Sequence, residues 1–239
     1  MSDLKLVCLA AVIGFASCLN IPSYFKPCNK GDYSCMTEQA QNTLKNILNG
    51  DKSFKIPTLS PLTLDEVTIP GKTISTTFKP LIIHGINSLK IKSAKIDTDS
   101  KSGSIDLFIP NIMFTGDYAL TGRILVLQLN GHGKGNITVV DGTGKYDFKY
   151  NLVEKNGEKY AKIVSSDYKI GLKRAYFQFD NLFAGNSELT KSTNDIINGE
   201  WKTVVEEFSD GMSEIIKSIL KLALGNYMNA IPINKLIKE

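Results

Sequence analysis

Histidine, tryptophan and cysteine are scarce in this chain: 239 residues hold two His, one Trp and four Cys. His84 and His132 are too far apart for an H-x-x-x-H pair, and neither has a Cys, Asp or Glu at ligand spacing. No metal site and no cofactor is therefore expected. No G-x-S-x-G turn occurs, which removes the usual hydrolase nucleophile. Gly71-Lys72-Thr73 resembles the end of a phosphate loop, but Glu66 stands where that loop needs its first glycine. Gly131, Gly133 and Gly135 have the wrong spacing for a dinucleotide fingerprint. Paired carboxylates such as Glu206-Glu207 fall on the polar face of a helical pattern, where water is their ordinary partner. No catalytic residue is assigned, and an enzyme is not expected.

Other absences narrow the class further. No apolar run reaches the roughly 20 residues of a spanning helix. The net charge is only +4, and acidic residues interrupt every potential basic run, so nucleic-acid binding lacks its stripe. There is no low-complexity tract, and 42% of residues are hydrophobic, enough for one sizeable core in one domain.

What is present begins with the leader. Lys5 precedes an apolar run from Leu6 to Ala16, and Ala16-Ser17-Cys18 offers small residues for cleavage. The segment 1–18 reads as a signal peptide and 19–239 as the mature domain, soluble and secreted. Cleavage leaves Cys28 and Cys35 as the mature pair. In an oxidising compartment they read as a disulfide, the alternative being two free thiols. Asn136-Ile137-Thr138 is the one glycosylation sequon, and parity puts Asn136 toward solvent and Ile137 inward.

Periodicity then divides the chain. Over 28–49, Met36, Ala40, Leu44, Ile47 and Leu48 recur at helical spacing. Two prolines in Ile56-Pro57-Thr58-Leu59-Ser60-Pro61-Leu62 suit an extended edge segment. From about 63 to 180 the texture is β. Tyr146, Phe148, Tyr150 and Leu152 alternate with Lys145, Asp147, Lys149 and Asn151, which predicts an antiparallel sheet with one wet face. Asn156-Gly157 reads as a hairpin turn, and the three close glycines suggest bends or bulges. From Asn194 to Tyr227 the period is 3.6, through Trp201, Val204, Val205, Phe208, Met212, Ile215, Ile216, Ile219 and Leu222. Such a helix is roughly 45–50 Å long and needs an equally long partner, which only the sheet supplies. The fold class is therefore α+β, a long C-terminal helix wrapped by a highly curved antiparallel sheet.

Several segments, taken in order, resemble the takeout and juvenile-hormone-binding proteins of insects. They are Pro27-Cys28 with Cys35, Ile56 to Leu62, Gly116-Asp117-Tyr118-Ala119-Leu120-Thr121-Gly122, Gly131-His132-Gly133, and Leu182 to Leu189. Asn194, Asn198-Gly199-Glu200-Trp201 and Ile231-Pro232-Ile233-Asn234-Lys235-Leu236 complete the set. The resemblance implies the tubular lipid-binding fold and a buried tunnel for a long apolar ligand. No cysteine follows Cys35, so the takeout-like branch fits better than the hormone-binding branch, which carries a second disulfide.

The expected partner is a small hydrophobic ligand, with no nucleic acid, no membrane insertion and a monomeric chain. The alternative is a membrane- or surface-active lipid-interacting protein of the same fold. The expected wall takes Val204, Val205, Phe208, Met212, Ile215 and Ile219 from the helix. From the sheet it takes Phe108, Tyr118, Leu125, Leu127, Tyr146, Phe148, Tyr150 and Phe179. Tyr118 or Tyr150 is the expected hydrogen-bond donor to ligand. Parity does not separate ligand contacts from end packing.

Overall fold

The computed structural model describes residues 21–183 and 185–239. The leader segment 1–18 lies outside the described residues. In chain order the elements are β1 (Cys28–Asn29), α1 (Tyr33–Asn46), β2 (Leu62–Leu64), β3 (Val67–Pro70), β4 (Ile74–His84), β5 (Lys90–Asp97), β6 (Ser102–Ile124), β7 (Leu127–Lys155), β8 (Glu158–Gly171), β9 (Arg174–Phe179), α2 (Ser187–Gly199), α3 (Trp201–Ala230), α4 (Ile233–Leu236) and β10 (Ile237–Lys238).

Two long strands organise the main sheet. β6 and β7, of 23 and 29 residues, pair antiparallel from Ile124↔Leu127 down to Ser102↔Lys149. Their length lets each carry two neighbours on its outer edge. β4 and β5 share β6, and β8 and β9 share β7. The predicted hairpin closes β7 on β8, with Asn156 at φ 53° and Gly157 at φ 78°, as a two-residue turn of this sequence requires.

Inward parity changes once along this ribbon, in both strands at one level. In β7 the inward residues are odd-numbered up to Ile137 and Val139, then even-numbered from Gly142 and Gly144. In β6 they are Ile105, Leu107 and Ile109, then Ile112 and Phe114. The change falls at the missing rung between Ile109↔Gly142 and Asn111↔Val140. Pro110 has no N–H to offer there, and Asp141 takes φ 49°. At the same level β9 gives way to β8 along β7. The ribbon is thus two half-sheets, each wrapping a different part of α3.

The glycine series works differently from expectation. The β6–β7 ladder runs through Gly131, Gly133 and Gly135 without a register shift. A Cβ at Gly131 would stand 2.8 Å from the Tyr118 hydroxyl, and one at Gly135 would stand 3.1 Å from the Phe179 ring. Gly131 and Gly135 make room for aromatic side chains, and no bulge of the β6–β7 ladder falls at the series.

The C-terminal helical run is two helices. α2 ends at Gly199 and α3 begins at Trp201, with Glu200 between them at φ −95° and ψ 28°. α3 has 30 residues, roughly 45 Å at 1.5 Å per residue, and packs on β3, β8 and β9. Gly211 does not interrupt it. Leu222, counted in the apolar stripe from sequence, is 59% exposed, and Leu152 at the far end of the β7 alternation is 37% exposed.

α1 begins at an Asp32 cap, whose carboxylate accepts from the Cys35 N–H at 3.0 Å. Cys28 and Cys35 are disulfide-bonded. β1 pairs parallel with β10. The disulfide and this short sheet together fasten α1 to both the N-terminal segment and the C-terminal residues.

Candidate ligand-binding site

Two apolar cavities lie between α3 and the concave face of the sheet. The larger, about 400 Å³, is enclosed by the second half of α3, by β5 to β8 and by α1. The smaller, about 90 Å³, lies beside the first half of α3, against β4, β7 and β9. Phe114, Val139, Ile170 and Met212 belong to both walls and stand at the junction. The difference in size has a packing cause. Phe78, Phe177, Phe179 and Phe208 fill the smaller end. The larger chamber has aromatic residues in its wall too, among them Phe25, Tyr146, Phe148 and Tyr227, but Ala40, Ala94, Ala223, Gly142 and Gly171 stand between them, and small side chains leave volume that large ones would occupy.

The residues expected from sequence divide accordingly. Tyr146, Phe148, Met212 and Ile219 line the large chamber. Phe179, Val204, Val205, Phe208 and Met212 line the small one. The other six line neither. Phe108 is on the opposite face of β6 from Leu107 and Ile109, with the Lys92 ammonium 5.2 Å from its ring centre. Ile215 faces a surface groove between α3 and β3. Leu125 and Leu127 pack on the end of the core at the β6–β7 turn. Tyr118 and Tyr150 are buried, but their hydroxyls already donate to the carbonyls of Asp180, at 2.5 Å, and Asp97, at 3.3 Å. Burial pushes both phenols up to about 12. Neither is the free donor expected for a ligand.

Sequence reasoning missed most of the large chamber. Met36, Ala40 and Leu44 of α1 and Ile47 at its C-terminal cap line it, as do Ile216, Leu220, Leu224 and Met228 of α3. Both series repeat every three or four residues, so the signal was present. The α1 stripe by itself does not point to the wall, and the wall expected from α3 takes Ile215 rather than Ile216 and ends at Ile219, although the pattern runs on to Tyr227. Lys26, Gln39 and Lys95 supply polar groups on the α1 side. Neither wall contains an Asp, Glu or His. Among the described residues, no three His, Cys, Asp or Glu side chains converge as a metal site.

The outer surface also differs in detail. Glu207 is not a free solvated carboxylate: it accepts from the Thr73 N–H and from the Thr73 hydroxyl, and its carbonyl accepts from the Lys72 N–H at 3.2 Å. It holds the β3–β4 turn against α3, leaving Glu206 as the exposed member of the pair. Asn136 lies on the outer face of β7 with Ile137 inward, but it is half-buried between β6 and β9. Its amide oxygen accepts from the Thr138 hydroxyl at 3.3 Å.

Residues 6–238 match the family model of the haemolymph juvenile hormone binding proteins. The chain belongs to that family. It is similar to the circadian clock-controlled protein daywake of Drosophila melanogaster, 26% identical over 232 residues, covering 91% of this chain and 88% of the relative. Daywake of Drosophila yakuba is likewise 26% identical over 231 residues. The crystal structure of takeout 1 from Epiphyas postvittana has the same fold, with a TM-score of 0.82 over 90% of this chain and all of the other at 23% identity.

Within this juvenile hormone binding protein fold, segments that carried the resemblance prove to be joints between elements. Tyr118 fastens β6 to Asp180 through the space at Gly131. Asn194 and Asn198, one turn apart on α2, each treat a residue of β9 as a strand would. Asn194 accepts from Phe179 N–H at 3.0 Å and donates to its carbonyl at 2.8 Å. Asn198 does the same to Phe177 at 2.9 and 2.7 Å. Two side-chain amides thereby satisfy backbone groups on an otherwise open edge. Asn198→Ala is expected to cost about 1–2 kcal/mol, because it strips two partners from half-buried backbone groups. Denaturant unfolding checks this: an unchanged midpoint would mean water replaces the amide.

Proposed function

We propose that this protein is a secreted carrier that takes one elongated apolar molecule into the large chamber and shields it from water. The observation that supports this reading is the chamber itself: about 400 Å³, walled almost entirely by aliphatic and aromatic side chains and free of any carboxylate or imidazole. Small-molecule sites begin at about 300 Å³, and apolar walls with few polar groups are their usual form. A chain of about ten methylenes would gain about 8 kcal/mol gross on leaving water, of which association removes several. Micromolar or tighter binding needs no ionic contact. Fatty-acyl, terpenoid and quinone-type chains share this chemistry. Among the described residues, no helix is long and apolar enough to cross a membrane. Secretion also gives Asn136 the chance of glycosylation.

The test is organic extraction of protein secreted from insect cells, followed by mass spectrometry. A stoichiometric apolar compound is expected. An empty protein that also fails to take up fluorescent fatty-acyl and terpenoid probes would overturn the carrier reading. Binding to liposomes without uptake would favour the surface-active alternative.

A further inference from the structure

Polar ties hold α3 to the N-terminal half of the chain at two places, with apolar contact between them. Near its start, Glu207 accepts from the Thr73 N–H and hydroxyl, and its carbonyl accepts from the Lys72 N–H. Near its end, Tyr227 stacks on Phe54 with ring centres 4.1 Å apart, and its hydroxyl meets that of Tyr24 at 2.8 Å. Among the described residues, no hydrogen bond or ion pair joins residues 212–226 of α3 to residues 59–70, the stretch that carries β2 and β3; Lys217 pairs within the helix, with Glu214. Outside this seam lies the surface groove between α3 and β3, with Leu64, Val67, Pro70, Ile215 and Ile219 as its apolar lining. Inside it lies the large chamber. The two are continuous in their walls. Ile219 lines both. In β2, Leu62 lines the chamber and Leu64, next on the same strand face, lines the groove. In α3, Ile216 lines the chamber and Ile215 the groove.

We propose that the groove is a first binding site for the apolar chain and that the seam is the doorway of the chamber. The chain lies in the groove, then slides sideways between α3 and β2 past Ile219, which is half-buried. The seam parts by rotation of side chains, with no hydrogen bond broken, and rotamer changes near the surface are fast. The α1 side of the chamber is closed more firmly. The Cys28–Cys35 disulfide ties α1 to the N-terminal segment. The Ile91 N–H donates to the Gln41 amide oxygen at 2.7 Å, the Ala94 N–H to the Thr37 hydroxyl at 3.0 Å, and the Gln41 amide to the Leu89 carbonyl at 3.3 Å. Lifting α1 from β5 would strip all three of these bonds and expose their groups.

This inference rests on the carrier reading, and exchange rates separate the two. A neutral fluorescent apolar probe is followed by stopped flow into and out of wild type, Ile215→Trp and Ser218→Trp. Both positions line the groove and neither lines the chamber. Ser218 is exposed, so its variant keeps the fold if Ile215→Trp does not, and a melting curve checks each. An indole in the groove should slow entry and exit together, each about tenfold or more, with Kd within about twofold of wild type, because a doorway changes both rates and not their ratio. Reduction of the Cys28–Cys35 disulfide should leave both rates unchanged. Wild-type rates in a folded Ser218→Trp protein overturn the doorway and leave the carrier intact. So does slower exit with unaltered entry, which makes the groove part of the bound site, and so does faster exchange on reduction, which puts the door at α1. A wild-type protein that takes up no probe overturns the carrier reading and the doorway together.

Discussion

Met212→Asp is expected to lower the affinity for an apolar probe at least a hundredfold at neutral pH. Met212 belongs to the walls of both cavities, so a carboxylate there meets whatever occupies either. Stripping an unpaired carboxylate of water costs several kcal/mol, and each 1.4 kcal/mol is a factor of ten in affinity. The loss should be pH-dependent with a definite sign. Burial disfavours the charged form and raises the pKa of the new carboxyl, so affinity should recover as pH falls and the group takes up a proton. Two companions separate binding from folding. Ala223→Trp fills the large chamber without adding charge and should block uptake while the fold is retained. Glu206→Lys, on the exposed face of α3, should change nothing. Fluorescence displacement at several pH values, with a melting curve for each variant, gives the answer. Equal affinity in Met212→Asp, Ala223→Trp and wild type would show that the probe binds elsewhere.

Gly211→Val is expected to destabilise the fold by about 3 kcal/mol, against the direction that helix propensity predicts. Valine is a better helix former than glycine by a few tenths of a kcal/mol, so an exposed site would gain. Gly211 is buried where α3 crosses β3. A Cβ there would stand 2.3 Å from the Pro70 carbonyl oxygen and 3.0 Å from its Cδ. The obstacle is backbone, which cannot rotate away, so helix and strand must separate, and overpacking of this kind costs 1–3 kcal/mol or more. Gly199 is the matched comparison: a Cβ there meets nothing within 4 Å. Gly199→Ala should therefore leave stability unchanged or raise it by up to about 1 kcal/mol. Chemical denaturation of the two variants beside wild type tests the pair. A Gly211→Val protein as stable as wild type would mean that α3 rides more loosely on β3 than the contact implies.

Both predictions turn on α3, and its amphipathic pattern was readable in the sequence. The same holds for the β texture, the Asn156-Gly157 turn, the cysteine pair and the family segments, because each depends on residues close in sequence. A 3.6 period puts Val204, Phe208 and Met212 on one stripe whatever they pack against. Alternation puts Tyr146, Phe148 and Tyr150 on one face of a strand. These local rules are enough to state an α+β fold with a long helix on an antiparallel sheet.

The wall was decided by tertiary structure. Alternation holds only while a strand stays in phase, and the paired switch at Pro110 and Asp141 arises between β6 and β7, two strands that neither sequence segment can sense alone. Phe108, one residue out of phase with Leu107 and Ile109, falls outside for that reason. Tyr118 and Tyr150 are inward as parity required, yet their hydroxyls are taken by carbonyls 62 and 53 residues away in sequence, which no local pattern encodes. The division into a filled end and an open chamber depends on which side chains meet across the core. Phenylalanines of β4, β9 and α3 converge on one end, while the alanines and glycines of α1, β5, β7, β8 and α3 converge on the other. The sequence by itself determined which residues would be apolar and which way their stripes would face. Where the packing leaves room follows only from the sum of side-chain volumes brought together by the fold.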